Sequence, residues 1–89
     1  MAIDVEFIAH FRLITGVHKL SLDVEDVSIM DVIELLGRKY GSRFLDEILV
    51  KGELMEDILF LKNGDLINND KEKLKDGDVL SLIPPAFGG

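Results

Sequence analysis

The sequence contains no cysteine and only two histidines among its 89 residues. The missing cysteine excludes disulfides, thiol nucleophiles and cysteine-ligated metals within this chain. His10 and His18 are predicted on separate strands, with no cluster of acidic or histidine ligands beside them, so we expect no metal site. The glycines are scattered through turns, which argues against a phosphate-binding loop.

Long apolar runs and positive charge are also scarce. No run approaches the roughly 18 residues that would span a membrane, and the opening Met-Ala-Ile-Asp-Val-Glu-Phe has no basic region followed by an apolar one, so we expect no signal peptide. The 17 acidic residues outnumber the 10 basic ones, giving a formal charge of −7. Such a surface repels phosphate backbones. We therefore expect a cytoplasmic protein that binds neither nucleic acid nor membranes, whose acidity aids solubility or steers it to a basic partner.

The length and composition indicate a single folded domain. Hydrophobic residues make up 47% of the chain, but a chain this short buries only roughly 60–65% of its unfolded surface. Little volume remains for an enclosed enzyme pocket, so we expect no self-contained active site. We predict a domain over residues 1–83 and a flexible tail over 84–89.

The first third of the sequence alternates between apolar and polar residues. This pattern predicts a half-buried strand over 3–13, interrupted by Thr15-Gly16, and a second strand around 20–24. Together they are expected to form an antiparallel hairpin with a short turn near Gly16.

A helix is predicted over 29–40. Ser28 and Asp31 have the spacing of a helix start, and apolar residues then recur every three or four positions at Ile29, Val32, Ile33, Leu36 and Tyr40. Arg38 and Lys39 suit the helix end, and Gly41 is expected to end it in the left-handed conformation. The spacing of Phe44, Leu45, Ile48 and Leu49 predicts a second, short helical piece.

The last third predicts more strands. The apolar run 58–61 leads into Asn63-Gly64, a strong signal for a hairpin. Leu74 is expected to pin a polar stretch to the core, and Val79–Ile83 forms a final strand that Pro84-Pro85 ends. One main helix over one face of a mixed, mostly antiparallel sheet gives an α+β fold.

The chain end is the remaining place for chemistry. Beyond the prolines, four residues reach at most roughly 13–14 Å, and the last two are Gly88-Gly89. Glycine lacks a Cβ, so its backbone can enter a narrow channel. A terminal carboxylate is ionised in the cell. It is a poor electrophile, but it can attack an activated phosphate such as the α-phosphorus of ATP.

This ending resembles that of a known family. Asp76-Gly77-Asp78, an apolar strand and then Pro84-Pro85-Ala86-Phe87-Gly88-Gly89 are similar to the ending of the MoaD/ThiS-like sulfur carriers. That family includes the small subunit of molybdopterin synthase, and archaeal ubiquitin-like modifiers share the ending. The Ala9-x-x-Arg12-x-x-x-Gly16 spacing agrees as well. Ala86-Phe87 depart from the small residues usual before Gly-Gly, so Phe87 is expected to affect the fit to a partner channel.

The resemblance implies a β-grasp, ubiquitin-like fold and a role for Gly88 and Gly89. A ubiquitin-activating-type adenylyltransferase (MoeB/ThiF-like) would use ATP and Mg²⁺, neither bound by this chain, to adenylate Gly89. A sulfur donor protein would convert the adenylate to a thiocarboxylate. The tail would then enter the large synthase subunit (MoaE-like) and supply sulfur for molybdopterin, the ligand of molybdenum or tungsten.

Other functions fit the same sequence. Gly89 could be joined to lysines of target proteins, or the sulfur could go to tRNA or to thiamine. A plain interaction domain with an inert tail is a third class. Because the helix covers only one sheet face, apolar residues on the other face would need a partner. Ile8, Leu59 and Ile83 are the predicted partner-binding residues there, together with Pro84, Pro85 and Phe87.

Overall fold

The computed structural model describes residues 2–67, 69 and 71–85. Three helices are found among them: α1 His10–Thr15, α2 Ile29–Tyr40 and α3 Ser42–Asp46. The strands in the same residues are β1 Ile3–Phe7, β2 Lys19–Leu22, β3 Val27–Ser28, β4 Leu49–Val50, β5 Glu53–Leu54, β6 Leu59–Lys62, β7 Asp65–Ile67, β8 Lys73–Leu74 and β9 Val79–Ile83.

The main sheet has the strand order β2-β1-β9-β6-β7. β1 and β9 are parallel, whereas the other neighbouring strands are antiparallel. β3 pairs with β8 and β4 with β5 as two small ribbons. Helix α2 covers one face of this mixed sheet, which confirms the predicted α+β class and the β-grasp, ubiquitin-like arrangement.

Helix α2 begins and ends where the sequence predicted. The Ser28 hydroxyl accepts a hydrogen bond from the Asp31 N–H at 3.1 Å, and the Asp31 carboxylate accepts one from the Ser28 N–H at 3.0 Å. These paired bonds satisfy amide groups that have no partner inside the helix. The apolar stripe then packs into the core, with Ile29, Val32, Ile33 and Leu36 buried.

The core lies between α2 and the sheet. Every second residue of β1 is buried, as a strand with one face against the core requires. Leu80 and Leu82 of β9 are buried on the same face. Phe7 meets Phe44 edge to face with ring centroids 6.3 Å apart, so α3 closes one end of the core. Leu74, in β8, is fully buried, as expected for the residue that pins its polar surroundings to the core.

The prediction of one long strand over 3–13 was wrong. β1 ends at Phe7, and the chain continues through α1, which replaces the short turn expected near Gly16. Antiparallel pairing of β1 with β2 is confirmed. The alternating apolar residues led to this wrong prediction because Phe7 and Phe11 are four residues apart. That spacing also suits a helical turn that buries Phe11. His10 lies in α1 and His18 in the loop before β2, so the expected separate strands were also wrong.

The helix ends at glycine differ from each other. Gly16 ends α1 with φ 78° and ψ 4°, the left-handed conformation. Gly41 follows α2 with φ 85° and ψ −173°, so the left-handed helix end predicted there was wrong, although positive φ still favours glycine. The short second helical piece is confirmed as α3, with Ile48 and Leu49 beyond its end.

Ala9 carries backbone strain at the turn between β1 and α1. Its φ of 51° and ψ of −120° suit the second residue of a type II′ turn, a position that glycine dominates. The turn is closed by a hydrogen bond from the Phe11 N–H to the Ile8 carbonyl at 3.2 Å. A non-glycine residue in such a conformation costs roughly 1–3 kcal/mol.

Replacing Ala9 with glycine is therefore expected to stabilise the protein. Relief of strain should exceed the roughly 0.5–1 kcal/mol that glycine loses in chain entropy, leaving a net gain of about 1 kcal/mol. Urea unfolding checks this, with Ala2→Gly as the matched control because Ala2 has no positive φ. A lower midpoint for the Ala9 variant than for the parent would contradict the strain assignment.

Candidate functional site

The last strand, β9, brings the chain to Pro84-Pro85 at a defined place in the fold, and we call the point where the chain leaves β9 at Pro84 the exit of β9. β9 lies between β1 and β6 and is held from both sides. Near its end, the Ile8 N–H donates to the Leu82 carbonyl at 3.2 Å, and Ile83 lies opposite Leu59. Pro84 and Pro85 follow directly and are half-buried. The predicted site residues Phe87, Gly88 and Gly89 lie outside the described residues, as does Ala86.

The three apolar residues predicted for the open face come together beside this exit. Residues alternate between the two faces of a strand, so Leu59 and Ile83 point away from the core that buries Phe60 and Leu82. Leu59 is 45% exposed, while Ile83 is half-buried. Ile8, one residue past β1, is also half-buried and adjoins the end of β9.

Two further leucines, which the sequence alone did not predict, extend this cluster. Leu61 lies opposite Leu66 across the β6–β7 hairpin, on the same open face as Leu59. Leu66 is 55% exposed. We refer to the five residues Ile8, Leu59, Leu61, Leu66 and Ile83 as the open-face patch. The available signal was the Asn63-Gly64 turn, because its two-residue loop fixes the pairing of Leu61 with Leu66.

Polar residues border the patch over β1 and β2. The Ser81 hydroxyl donates to the Glu6 carboxylate at 2.9 Å, and Lys19 lies 3.9 Å from the Asp4 carboxylate. The open face is thus apolar on the β6–β7 side and charged on the β2 side. An apolar area rimmed by polar groups on one side is typical of a protein-binding surface.

Asp76-Gly77-Asp78 forms a clasp at the start of β9. The Asp76 carboxylate accepts a hydrogen bond from the Ala2 N–H at 2.6 Å, and the Gly77 N–H donates to the Ala2 carbonyl at 2.8 Å. The Asp78 carboxylate accepts from the Lys75 N–H at 2.7 Å and from the Asn63 amide at 2.9 Å. The motif therefore fixes β9 against β1 and the β6–β7 turn, and does so at the end of β9 opposite Pro84.

The clasp lowers the pKa of Asp78. The main cause is the hydrogen bond from the Lys75 N–H, followed by the one from the Asn63 side chain. The folded state thus holds the Asp78 proton less tightly than the unfolded state does. Its contribution to stability is present above the ordinary aspartate pKa of about 3.9 and is lost as pH falls through the lower, folded value.

Asp78→Asn is expected to flatten the acid limb of the stability curve. Urea unfolding between neutral pH and strongly acidic pH should show a smaller loss of stability for this variant than for the parent. Asp57→Asn, an exposed loop substitution, serves as the control because the Asp57 carboxylate lies outside the clasp. Parallel curves for the parent and the Asp78 variant would refute the assignment of acid sensitivity to the clasp.

Among the described residues, no helix is long and apolar enough to cross a membrane. Within the same part of the chain, no group of three or more histidine, aspartate or glutamate side chains is placed to hold a metal ion.

The fold and the exit of β9 define the class: a ubiquitin-like β-grasp protein whose central strand leads to a glycine-ended chain. The model of the ThiS family matches residues 5–89. The chain belongs to the ThiS family.

Two curated relatives align over their full lengths and that of this chain. Small archaeal modifier protein 3 of Haloferax volcanii is 30% identical, and the molybdopterin synthase sulfur carrier subunit of Chlamydomonas reinhardtii is 31% identical. The family expected from the sequence is thereby confirmed.

Two solved structures show the same fold. The solution structure of small archaeal modifier protein 1 from Methanosarcina acetivorans has a TM-score of 0.84 at 28% identity, covering 99% of this chain and 96% of that one. The complex of subunits 1 and 2 of the molybdopterin-converting factor from Helicobacter pylori contains a chain with a TM-score of 0.66 at 28% identity, and both chains are covered completely. That relative has thus been solved together with a partner subunit.

Proposed function

We propose that this protein is a sulfur carrier whose terminal carboxylate, on Gly89, is adenylated and then converted to a thiocarboxylate for molybdopterin synthesis. The single observation that carries the proposal is the placement of the open-face patch beside the exit of β9. A partner that binds the patch stands next to Pro84-Pro85 and within reach of the residues that follow them.

The chemistry begins with activation of the Gly89 carboxylate, which is a poor electrophile by itself. A carboxylate oxygen of Gly89 attacks the α-phosphorus of ATP and pyrophosphate leaves, which gives an acyl-adenylate. A persulfide sulfur of a donor protein then attacks the acyl carbon and AMP leaves. A thiol cleaves the resulting sulfur–sulfur bond, so the thiocarboxylate remains and the thiol is oxidised to a disulfide.

The composition of the chain assigns most of this chemistry to partners. It has no cysteine, so the persulfide and the thiol must both come from outside this chain. ATP and Mg²⁺ would be held by the adenylyltransferase, a ubiquitin-activating-type enzyme. This chain supplies the carboxylate, a slim approach to it through Gly88 and Gly89, and a docking surface.

The open-face patch serves the docking step in this proposal. Burying apolar surface favours association because it removes that surface from water, and Leu59 and Leu66 offer exposed apolar area within the open-face patch. The large subunit of molybdopterin synthase is the proposed acceptor of the tail, which the Helicobacter pylori complex supports by analogy. Phe87 is proposed to contact the channel that receives the tail.

A second candidate function is protein modification. The relative named small archaeal modifier protein 3 aligns over its whole length at 30% identity, about as closely as the sulfur carrier subunit does. Both functions begin with the same adenylate. They diverge when the acyl carbon is attacked, by sulfur in one case and by a lysine amine in the other. Sulfur transfer to tRNA or to thiamine would share the carrier chemistry.

Intact mass of the protein purified from its own cells tests these alternatives. The proposal predicts a species heavier by about 16 Da, one sulfur in place of one oxygen on the Gly89 carboxyl group. It also predicts loss of that species when the partner adenylyltransferase is deleted. Gly-Gly remnants from this chain on lysines of other proteins would instead support modification. An unmodified chain under all conditions, with no conjugates, would refute both.

A further inference from the structure

A groove of about 500 Å³ lies at the β7 edge of the sheet. The first turn of α2, the segment 53–56 and the β6–β7 hairpin form its walls. The lining residues used below are Met30, Glu53, Leu54, Met55, Glu56 and Leu66. We call this feature the α2–β7 groove.

We propose that the α2–β7 groove binds a segment of a partner protein that combines large apolar side chains with flanking lysines or arginines. This site goes beyond the proposed chemistry at Gly89 and does not depend on it. It would hold a partner at the side of the domain while the tail remains free to react.

The charge of the groove selects a basic occupant. Among the described residues that line it, the charged side chains are Glu53 and Glu56, both exposed, and none carries a positive charge. Lys51 lines a neighbouring depression that shares the segment 53–56 with the groove, but Lys51 does not line the groove itself. The whole chain carries a formal charge of −7, so the long-range field attracts the same kind of segment.

The walls of the groove suit side chains of a peptide. Met30, Leu54 and Met55 are half-buried in it, and methionine adapts its shape to varied apolar partners because its side chain is unbranched and flexible. Small-molecule sites usually add precisely placed polar groups that fix a ligand. Among the described residues that line the groove, the polar side chains are the two exposed glutamates and Asn69, an arrangement better suited to a charged peptide.

The groove also adjoins the open-face patch. Leu59 and Leu66 belong to the patch and line the groove at the sheet edge. A partner seated on the patch could therefore place a basic apolar segment into the groove without leaving the surface. Once the partner has bound the patch, its second binding segment is held close to the groove. The effective concentration of that segment at the groove is therefore raised.

Methionine methyl resonances test the proposal on the intact protein. Two of the three methionines, Met30 and Met55, line the groove, so ¹³C-methyl labelling reports on it directly. The probe is a short blocked peptide in which leucine and lysine alternate. Matched peptides carry glutamate in place of lysine, or serine in place of leucine. Only the leucine–lysine peptide should shift both methyl resonances in a saturable manner.

Charge variants provide the second arm. Glu53→Gln with Glu56→Gln should weaken binding of the leucine–lysine peptide about fivefold or more, the sum of two exposed ion pairs. Glu25→Gln with Asp46→Asn removes the same charge at two exposed residues that do not line the groove, so it should weaken binding less than about twofold. Absent shifts, equal shifts with the glutamate peptide, or equal weakening in both double variants would overturn the proposal. Adenylation is not measured, so this result is separate from the fate of the Gly89 chemistry.

Discussion

Removing Gly89 is expected to reduce thiocarboxylate formation by at least about 100-fold, because reacting groups displaced by about 1 Å already lose this much. The carboxylate then lies on Gly88, set back by roughly 3.3–3.6 Å. Folding stability should not change, because Leu82 is the last residue along the described chain that belongs to the hydrophobic core. The measurement is the yield of thiocarboxylate by intact mass after incubation with adenylyltransferase, ATP, Mg²⁺ and sulfur donor.

Two companion variants distinguish the effect of the carboxylate's position from the effect of side-chain bulk at the last residue. Gly89→Ala keeps the carboxylate in place but adds a Cβ, so it should reduce the yield less than the deletion does. One residue added after Gly89 places its carboxyl group in an amide, which should abolish the reaction until the extra residue is removed. A full yield from the extended chain would show that the Gly89 carboxylate is not the reacting group.

Replacing Ile83 with aspartate is expected to weaken binding to the adenylyltransferase about 100-fold, which corresponds to about 2.7 kcal/mol. The substitution places an unpaired charge in the middle of an apolar contact. Ile83 lies on the open face opposite Leu59. The substitution therefore removes no side chain from the core, which includes Leu80 and Leu82. Calorimetric titration measures the affinity, and circular dichroism checks the fold.

Val50→Asp is the matched control for this variant. Val50 is 52% exposed and lies in β4, outside the open-face patch. It makes the same apolar-to-acidic change and the same change in net charge. Equal weakening by both variants would mean that long-range charge, rather than contact with the patch, governs binding. Unchanged binding by Ile83→Asp would remove Ile83 from the docking surface.

Local signals explain why much of the fold was predictable. Helix α2 is marked at both ends, by Ser28 with Asp31 and by Gly41, and its apolar stripe needs no distant information. The Asn63-Gly64 turn has positive φ at both residues, 53° and 88°, so the two residue types directly encode the β6–β7 hairpin. The final strand is confirmed over Val79–Ile83.

The segment around α1 was mispredicted for a physical reason. Ala9 adopts a conformation that glycine would signal, so the residue type concealed the turn. Phe7 and Phe11 fit both a period of two and a helical spacing, and the choice between them is made by packing against Phe44. The two-residue strands of the small ribbons are too short for any periodicity to show.

The candidate site was predictable only in part. Ile8, Leu59 and Ile83 were placed on the open face by their phase within each strand, and the structure brings them together. Leu61 and Leu66 depend on the register between β6 and β7, which joins them across the hairpin. The α2–β7 groove joins the first turn of α2 to the segment 53–56 and the β6–β7 hairpin, which come much later in the chain. The roles of Phe87, Gly88 and Gly89 remain predictions, because these residues lie outside the described part of the chain.

ATP–pyrophosphate exchange is a direct measurement of whether the Gly89 carboxylate is activated, because it reports the first step of the chemistry alone. Labelled pyrophosphate enters ATP only when the acyl-adenylate forms and reverts on the partner adenylyltransferase. We expect steady exchange with the intact chain, and exchange at least about 100-fold slower with the chain lacking Gly89. Equal exchange rates for the two chains would show that the Gly89 carboxylate is not the activated group, and would contradict the proposed function.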